Sequence, residues 1–411
     1  MVTSEYFSGT GYYTFKVKCS RLEENNPPQF EFLIDNRIIG TAYFSDESFP
    51  SKFSVFVAQG KHRLEVRDTF ESTLSADYDV EISLTDRMIE EPVFSFITLT
   101  DTHILQKIPH PPRGGEMHMG KGIILLYDHD VSGCPHLINW INHLLFEKTP
   151  ELMGEVTGKI NQLKPDFVIH TGDVGGEKKE YLEAAKYFLG KLNCPCYIAR
   201  GNHDNFNEVF NVFDGICSDK TYYSFNHKGY HFVILDSSYL FSEDRVLPWI
   251  GEEFDGKKVK GLVVPEKELK WLEDDVKKHE EMGTFVFTHS ALAVSGRGPY
   301  PDYSQPLYNH EEVFQILDQY KNLKAVFAGH SHINDLAIRK NVYHFQTSSL
   351  IEYPMCYRQV VIFPSHIEVW THQMNREFLL ESFLRTPDNI FGKAPNGWVI
   401  GRNDNLYAEI S

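Results

Sequence analysis

The chain has 411 residues, more than one ordinary domain holds, so two are expected, one of them large. Its 40 Lys and Arg stand against 57 Asp and Glu, a formal charge of −17 that repels polyphosphate backbones and excludes nucleic acid as a general electrostatic partner. Hydrophobic residues at 42% suffice for a real core, and the charges are mixed instead of blocky, so long disorder is not expected.

At the amino end, Met1 to Gly11 has no basic start and no apolar run, so no signal peptide is read there. No stretch approaches the length of a membrane helix, and a cytoplasmic location is the default expectation, with a secreted or envelope one if a leader was removed. From residue 11 to about 86 the chain reads as strands: Tyr12–Lys18, Phe30–Ile34, Lys52–Val57, His62–Val66 and Tyr78–Leu84. Turn residues separate them (Asn25-Asn26-Pro27-Pro28, Asp35-Asn36, Gln59-Gly60), which predicts a small antiparallel β-sandwich over residues 1–90. That unit resembles accessory β-sandwich modules that often bind carbohydrate; a packing or self-association module is the alternative.

A charged segment, Glu90-Glu91-Pro92, marks the expected boundary. Strands and helices then alternate: strand Val93–Thr100, helix Leu152–Leu163, strand Phe167–His170, helix Glu177–Leu192 and strand Cys196–Ala199. Strand Tyr230–Leu235, helix Glu266–His279, strand Thr284–Phe287, helix Glu311–Tyr320 and strand Ala325–Phe327 follow. Such alternation predicts an α/β sandwich with functional loops at the carboxyl ends of the strands. Strands Val342–Gln346, Gln359–Phe363 and His366–Thr371 are expected to form a second sheet continuing the core. The α/β domain is taken as 91–374, with 375–411 as a C-terminal extension packing back on it. Two long connections, Ile104–Pro150 and Ser290–His310, are rich in Pro and Gly and read as pocket walls. Six cysteines in a chain of this length are not a disulfide scaffold, and Cys194-Pro195-Cys196 reads as buried small apolar residues.

Five motifs carry the chemistry, and each begins where an apolar strand ends. They are Asp101-Thr102-His103, Gly172-Asp173, Gly201-Asn202-His203-Asp204, His289 after Thr284–Thr288, and Gly329-His330-Ser331-His332. Any one of them reads equally as a polar turn or a satisfied surface histidine. Five in a row at strand ends place Asp, His and Asn ligands together, enough for two ions with one carboxylate between them.

With these motifs the chain resembles the calcineurin-like metallophosphoesterase superfamily over roughly Val93 to Trp370. The resemblance implies a four-layer α/β/β/α sandwich, here with a small all-β N-terminal domain, and two divalent ions (Mn, Fe or Zn). It implies that Asp101, His103 and His332 hold one ion, that Asn202, His289 and His330 hold the other, and that Asp173 bridges. It further implies phosphoester hydrolysis by a metal-bridging hydroxide, with His203 as proton donor and Asp204 positioning it. After Asp173 come Val174-Gly175-Gly176, so the tyrosine that purple acid phosphatases place three residues on is absent, and so are the Asp and Arg of protein phosphatases. The expectation is a phosphodiesterase acting on a small organic phosphate; the alternatives are a phosphomonoesterase of the same fold or a catalytically silent scaffold. Arg113, His118, Arg297, Tyr300 and Arg358 are the substrate-side candidates, since a phosphate pocket calls for an arginine.

Overall fold

The computed structural model describes residues 2–19, 29–35, 37–43, 52–68, 78–85, 90–104, 145–176, 178–204, 208–209, 212–213, 221–242, 244–248, 259–295, 305–385 and 407–411. The first elements are strands β1 (Val2–Cys19), β2 (Gln29–Ile34), β3 (Arg37–Tyr43), β4 (Lys52–Asp68) and β5 (Tyr78–Thr85), paired antiparallel in the order β5-β1-β4-β2-β3. Two strands predicted on either side of Gln59-Gly60 are one strand, β4. Opposite that point β1 shifts register between Gly9 and Gly11, so the glycines serve a bulge and not a turn.

The alternating elements follow as β6 (Phe94–Leu99), α1 (Thr149–Leu163), β7 (Phe167–His170), α2 (Lys179–Leu189), β8 (Cys196–Ile198), β9 (Tyr223–His227) and β10 (Tyr230–Ile234). Next come β11 (Tyr239–Ser242), β12 (Arg245–Pro248), β13 (Val259–Val263), α3 (Glu266–Lys278), β14 (Gly283–Phe287), α4 (His310–Leu317), β15 (Leu323–Ala328), β16 (Asp335–Arg339) and β17 (Val342–Gln346). The chain closes with β18 (Cys356–Ile362), β19 (Ile367–Gln373), α5 (Arg376–Arg385) and β20 (Tyr407–Ile410).

Two sheets form the core. One runs β19-β18-β6-β7-β8 and the other β16-β17-β15-β14-β10-β9. The three late strands expected to form one second sheet are divided: β17 joins β15 in the second sheet, while β18 and β19 return to the first, where β18 pairs with β6. The N-terminal strands are hydrogen-bonded to that same sheet through β3 and β19, with Ile38 opposite Thr371 and Arg37 opposite His372. A separate sandwich was expected; the N-terminal strands instead form one antiparallel layer joined edge to edge to the mixed sheet through β3 and β19. β20 occupies the other part of the β19 edge, and buried Ala408 and Ile410 join the core there.

Side-chain alternation explains the layering. In β6, β7, β10, β14 and β15 the aromatic or small residues (Phe94, Phe96, Phe167, Phe232, Phe285, Phe287, Ala325, Phe327) all point between the sheets. Their neighbours one residue along point outward, Ile97, Leu99 and Val168 toward α1 and α2, and Val233, Val286 and Val326 toward α3 and α4. Strands buried on both faces give the continuous apolar runs seen in the sequence, with helices covering each outer face: the α/β/β/α order. The phenylalanines pack ring on ring, Phe96 stacked on Phe167 at 5.3 Å and edge-on to Phe232 at 5.5 Å. Phe96→Ala, in the middle of this layer, is expected to cost about 3–5 kcal/mol, read as a lowered denaturant midpoint with an unchanged slope.

Parallel pairing of β6 with β7 with β8, and of β10 with β14 with β15, sends the carboxyl ends of these strands to one end of each sheet. All five motifs lie there.

Candidate metal centre

The loops that carry the motifs are zipped to one another by main chain. Asp101 N–H donates to Gly172 O, His103 N–H to Asp173 O and Ile104 N–H to Val174 O, so the first two loops extend the β6–β7 pairing past the sheet. Across the other sheet Gly329 N–H donates to His289 O. Two glycines make the close approaches. A Cβ on Gly201 would lie 2.1 Å from Asp173 N and Oδ1, and one on Gly329 would lie 1.9 Å from Thr100 Oγ1 and 2.5 Å from Asp101 Oδ2. The glycine in each motif is therefore what lets the next loop settle on a carboxylate.

The ligand-type residues also sit in left-handed backbone: Asp101 (φ 50°), His103 (40°), Asp173 (55°), His330 (68°) and His332 (57°). A non-glycine residue in that region is strained by about 1–3 kcal/mol and persists only where its surroundings fix it. Here the bonds between loops fix it, and the turns aim each side chain inward.

Two groups of donors result. Asp101, His103 and His332 form one, and Asp173, His289 and His330 the other, with one ligating atom of each residue within 4.8 Å of the rest. In the first, His332 Nε2 lies 3.3 Å from Asp101 Oδ1 and 3.4 Å from His103 Nε2. In the second, His289 Nε2 lies 3.3 Å from Asp173 Oδ2, 3.0 Å from Asn202 Oδ1 and 3.1 Å from His330 Nδ1. Asp173 Oδ2 also lies 3.7 Å from His103 Nε2 of the first group. A fit test follows from Asp101. Its Oδ2 accepts from Thr100 Oγ1 and His330 N–H, whereas buried Oδ1 accepts no hydrogen bond although nitrogens face it. Carboxylate oxygens and imidazole lone pairs that converge in this way, with an amide oxygen completing the set, suit divalent metal ions.

Electrostatics agree. Burial pushes Asp101 and Asp173 up, but the facing imidazoles outweigh it and hold both carboxyls well below the usual range. Burial lowers His103 to about 4 and His330 to about 3, while for His289 the charge of Asp173 overcomes burial and raises it to about 9. His332 is raised well above its ordinary value, against burial, by Asp101 and Glu352. The carboxylates thus favour a proton on His289 and on His332 that a cation must displace. Metal uptake is expected to release protons at pH 7. Above about pH 9 the His289 share is lost. Calorimetry in buffers of different ionisation enthalpy measures this; zero net release at pH 7 contradicts it.

Supporting residues escaped the sequence reading. His170 is buried in β7, where its Nδ1 accepts from Gly172 N–H and its Nε2 meets Thr102 Oγ1 at 3.0 Å; Thr102 in turn donates to Val174 O. His289 Nδ1 donates to Thr171 O, leaving Nε2 to face the site. His332 Nδ1 donates to Glu352. Arg200, fully buried beside the third motif, donates to Asp236 Oδ2 and Ser238 O and ties the β8 loop to the β10 loop.

Two expectations are corrected. Asp204 does not orient His203: its Oδ1 accepts from Val174 and Gly175 N–H and its Oδ2 from Gly201 N–H, so it braces the loops. Its burial raises it to about 6. His203 is held instead by its main-chain N–H on Asp173 Oδ1 (2.7 Å), its ring lies 5.3 Å edge-on from that of His103, and its Nδ1 has no hydrogen-bond partner among the described residues. Arg358 is not a substrate contact. It is fully buried in β18, donating to Thr347 Oγ1, Thr371 Oγ1 and Gln346 O over the Phe345 ring. Arg113, His118, Arg297 and Tyr300 lie outside the described residues. A third cluster, His231 on β10, Asp275 on α3 and His279 just after α3, stands apart from the motifs; His231 meets Asn226 and Asp275, and His279 Nδ1 meets Asp275 O.

The profile of the Calcineurin-like phosphoesterase family matches residues 94–334, more than half of the chain. A 3',5'-cyclic-nucleotide phosphodiesterase of Nostoc sp. is 25% identical over 221 residues, 50% of this chain and 74% of that protein. The "Probable glycerophosphodiester phosphodiesterase GpdQ" of Arcobacter nitrofigilis is 28% identical over 179 residues, 42% of this chain and 59% of its own length, so the match spans under two thirds of that relative. Among solved structures, a dimetal phosphatase from Danio rerio superposes with a TM-score of 0.50 at 14% identity, over 69% of this chain and 98% of that one, a likeness of fold.

Proposed function

Because the chain belongs to the calcineurin-like phosphoesterase family, hydrolases of phosphoric esters, we propose that it is a two-ion phosphodiesterase acting on a small organic phosphate. The observation that carries this reading is the pair of donor groups sharing Asp173. Asp101, His103 and His332 hold one divalent ion, Asn202, His289 and His330 the other, and Asp173 serves both. Mn²⁺, Fe²⁺ and Zn²⁺ all suit imidazole with carboxylate or amide oxygen, and availability decides among them. When bound, two such ions stabilise charge on phosphoryl oxygens and activate water near neutral pH.

The chain's own residues do the rest. Asp101 and Asp173 supply the negative charge that gathers the cations, and the zipped loops hold the ligands without further motion. His203, beside His103 at the rim, donates the proton that the departing oxygen of the ester requires. Preference for diesters is supported by two relatives named as phosphodiesterases, one for 3',5'-cyclic nucleotides and one for glycerophosphodiesters. No helix among the described residues is long and apolar enough to cross a membrane. The strands of residues 1–90 are read as an accessory unit for glycan binding or self-association.

Hydrolysis of bis-p-nitrophenyl phosphate and p-nitrophenyl phosphate by the Mn²⁺-loaded protein, with 3',5'-cyclic AMP and a glycerophosphodiester as natural counterparts, tests the reading. Faster turnover of the diesters supports it. Faster turnover of the monoester makes the protein a phosphomonoesterase, and metal-independent or absent turnover of all four contradicts hydrolysis altogether.

A further inference from the structure

The first donor group has a support that no ligand-type spacing reveals, because it comes twenty positions after His332. Glu352 is buried, 6% exposed, in the connection between β17 and β18, and its Oε1 accepts the Nδ1–H of His332. That connection is pinned on both sides. Ser349 Oγ donates to Asp101 O (2.7 Å) and accepts Ile351 N–H; Leu145 N–H donates to Ile351 O; Tyr353 N–H donates to Ser382 Oγ on α5; Met355 N–H returns to Glu352 O. The same short connection thus holds the main chain of Asp101 and the side chain of His332, two of the three residues of one group. With the Nδ1 proton given to Glu352, the Nε2 lone pair of His332 is the one facing Asp101 Oδ1 and His103 Nε2. A carboxylate behind an imidazole fixes its tautomer and ring orientation and strengthens it as a ligand.

We propose that Glu352 is a positioning residue of the first ion group, holding the imidazole of His332 so that its Nε2 completes the set with Asp101 and His103. The inference rests on the reading of that group as an ion site. It is tested by equilibrium competition of the full chain against a chelator for Mn²⁺, with Co²⁺ absorption reporting the ligand field, in wild type, Glu352→Ala, Glu352→Gln, Glu352→Asp and His332→Ala. Glu352→Ala is expected to weaken one of two ions by about 10–100-fold and to leave the other unchanged. Glu352→Gln, whose amide oxygen still accepts from Nδ1, is expected to lose less and to shift the Co²⁺ spectrum without changing the ion count. Should Glu352→Ala fail to fold, Glu352→Asp decides: it keeps the charge but withdraws it by one methylene, and a severalfold weakening of one ion is expected. Wild-type affinity for both ions in the folded Ala or Asp variant overturns the proposal. Failure of the underlying reading looks different: wild type then holds no ion against the chelator, or His332→Ala equals wild type.

Discussion

Asp173→Asn is expected to lower diester turnover by about 10³–10⁴-fold with little change in fold. The substitution keeps the oxygen that accepts His203 N–H, so the loop geometry persists. What it removes is the negative charge that lies 3.3 Å from His289 Nε2 and 3.7 Å from His103 Nε2, a residue of each donor group. Among the described residues, Asp101 falls in the first donor group and Asp204 is turned toward main-chain N–H groups. Charge stabilisation by metal ions contributes several kcal/mol in the transition state, and about 1.4 kcal/mol is a factor of ten, which sets the expected range. Turnover combined with ion content by elemental analysis checks it. A variant with normal activity would remove Asp173 from the centre.

His203→Ala is expected to act differently. A general acid contributes about 10²–10⁴-fold, but only where the leaving oxygen needs a proton. Loss should therefore be large for a glycerophosphodiester or cyclic nucleotide, whose leaving group is an alkoxide, and much smaller for bis-p-nitrophenyl phosphate, whose nitrophenolate departs as a stable anion. Ion content should not change, since the imidazole of His203 belongs to neither donor group. Equal loss on both substrate types would give His203 a role other than proton donation.

The contrast between these residues shows what was legible in the sequence. Asp101, His103, Asp173, His289, His330 and His332 were visible because doubly buried strands leave unbroken apolar runs, and a charged or ligating residue at the end of such a run stands out. The aromatic layer was partly visible too: Phe-Val-Phe and Phe-Val-Ile state that one face of the strand meets rings and the other β-branched residues. The role of Asp204 came with the resemblance, whereas its oxygens are taken by the main-chain N–H groups of Val174, Gly175 and Gly201. Glu352, His170 and Arg200 were missed because each acts through a partner distant in sequence, and a lone Glu or His on an apolar background carries no spacing signal. The left-handed backbone of five site residues is not predictable position by position, because Asp and His tolerate that conformation more readily than most residues but adopt it only where the surroundings favour it. Arg358 illustrates the reverse. An arginine near the last motif invites a phosphate role, but its place in a strand buried on both faces commits its guanidinium to Thr347, Thr371 and Gln346. The continuity of the N-terminal strands with the central sheet was equally out of reach, because an edge pairing of two residues in β3 with two in β19 leaves no periodic trace.

The central claim, that two divalent ions at one shared carboxylate make this chain a phosphoester hydrolase, is tested most directly by titrating chelator-treated protein with Mn²⁺ while following bis-p-nitrophenyl phosphate hydrolysis and bound metal together. Two ions per chain, with turnover that reaches its plateau as the second is bound and that Asp173→Asn abolishes, is the expected result. Full turnover without bound metal, or two tightly bound ions with none of the four phosphoesters hydrolysed, would contradict it.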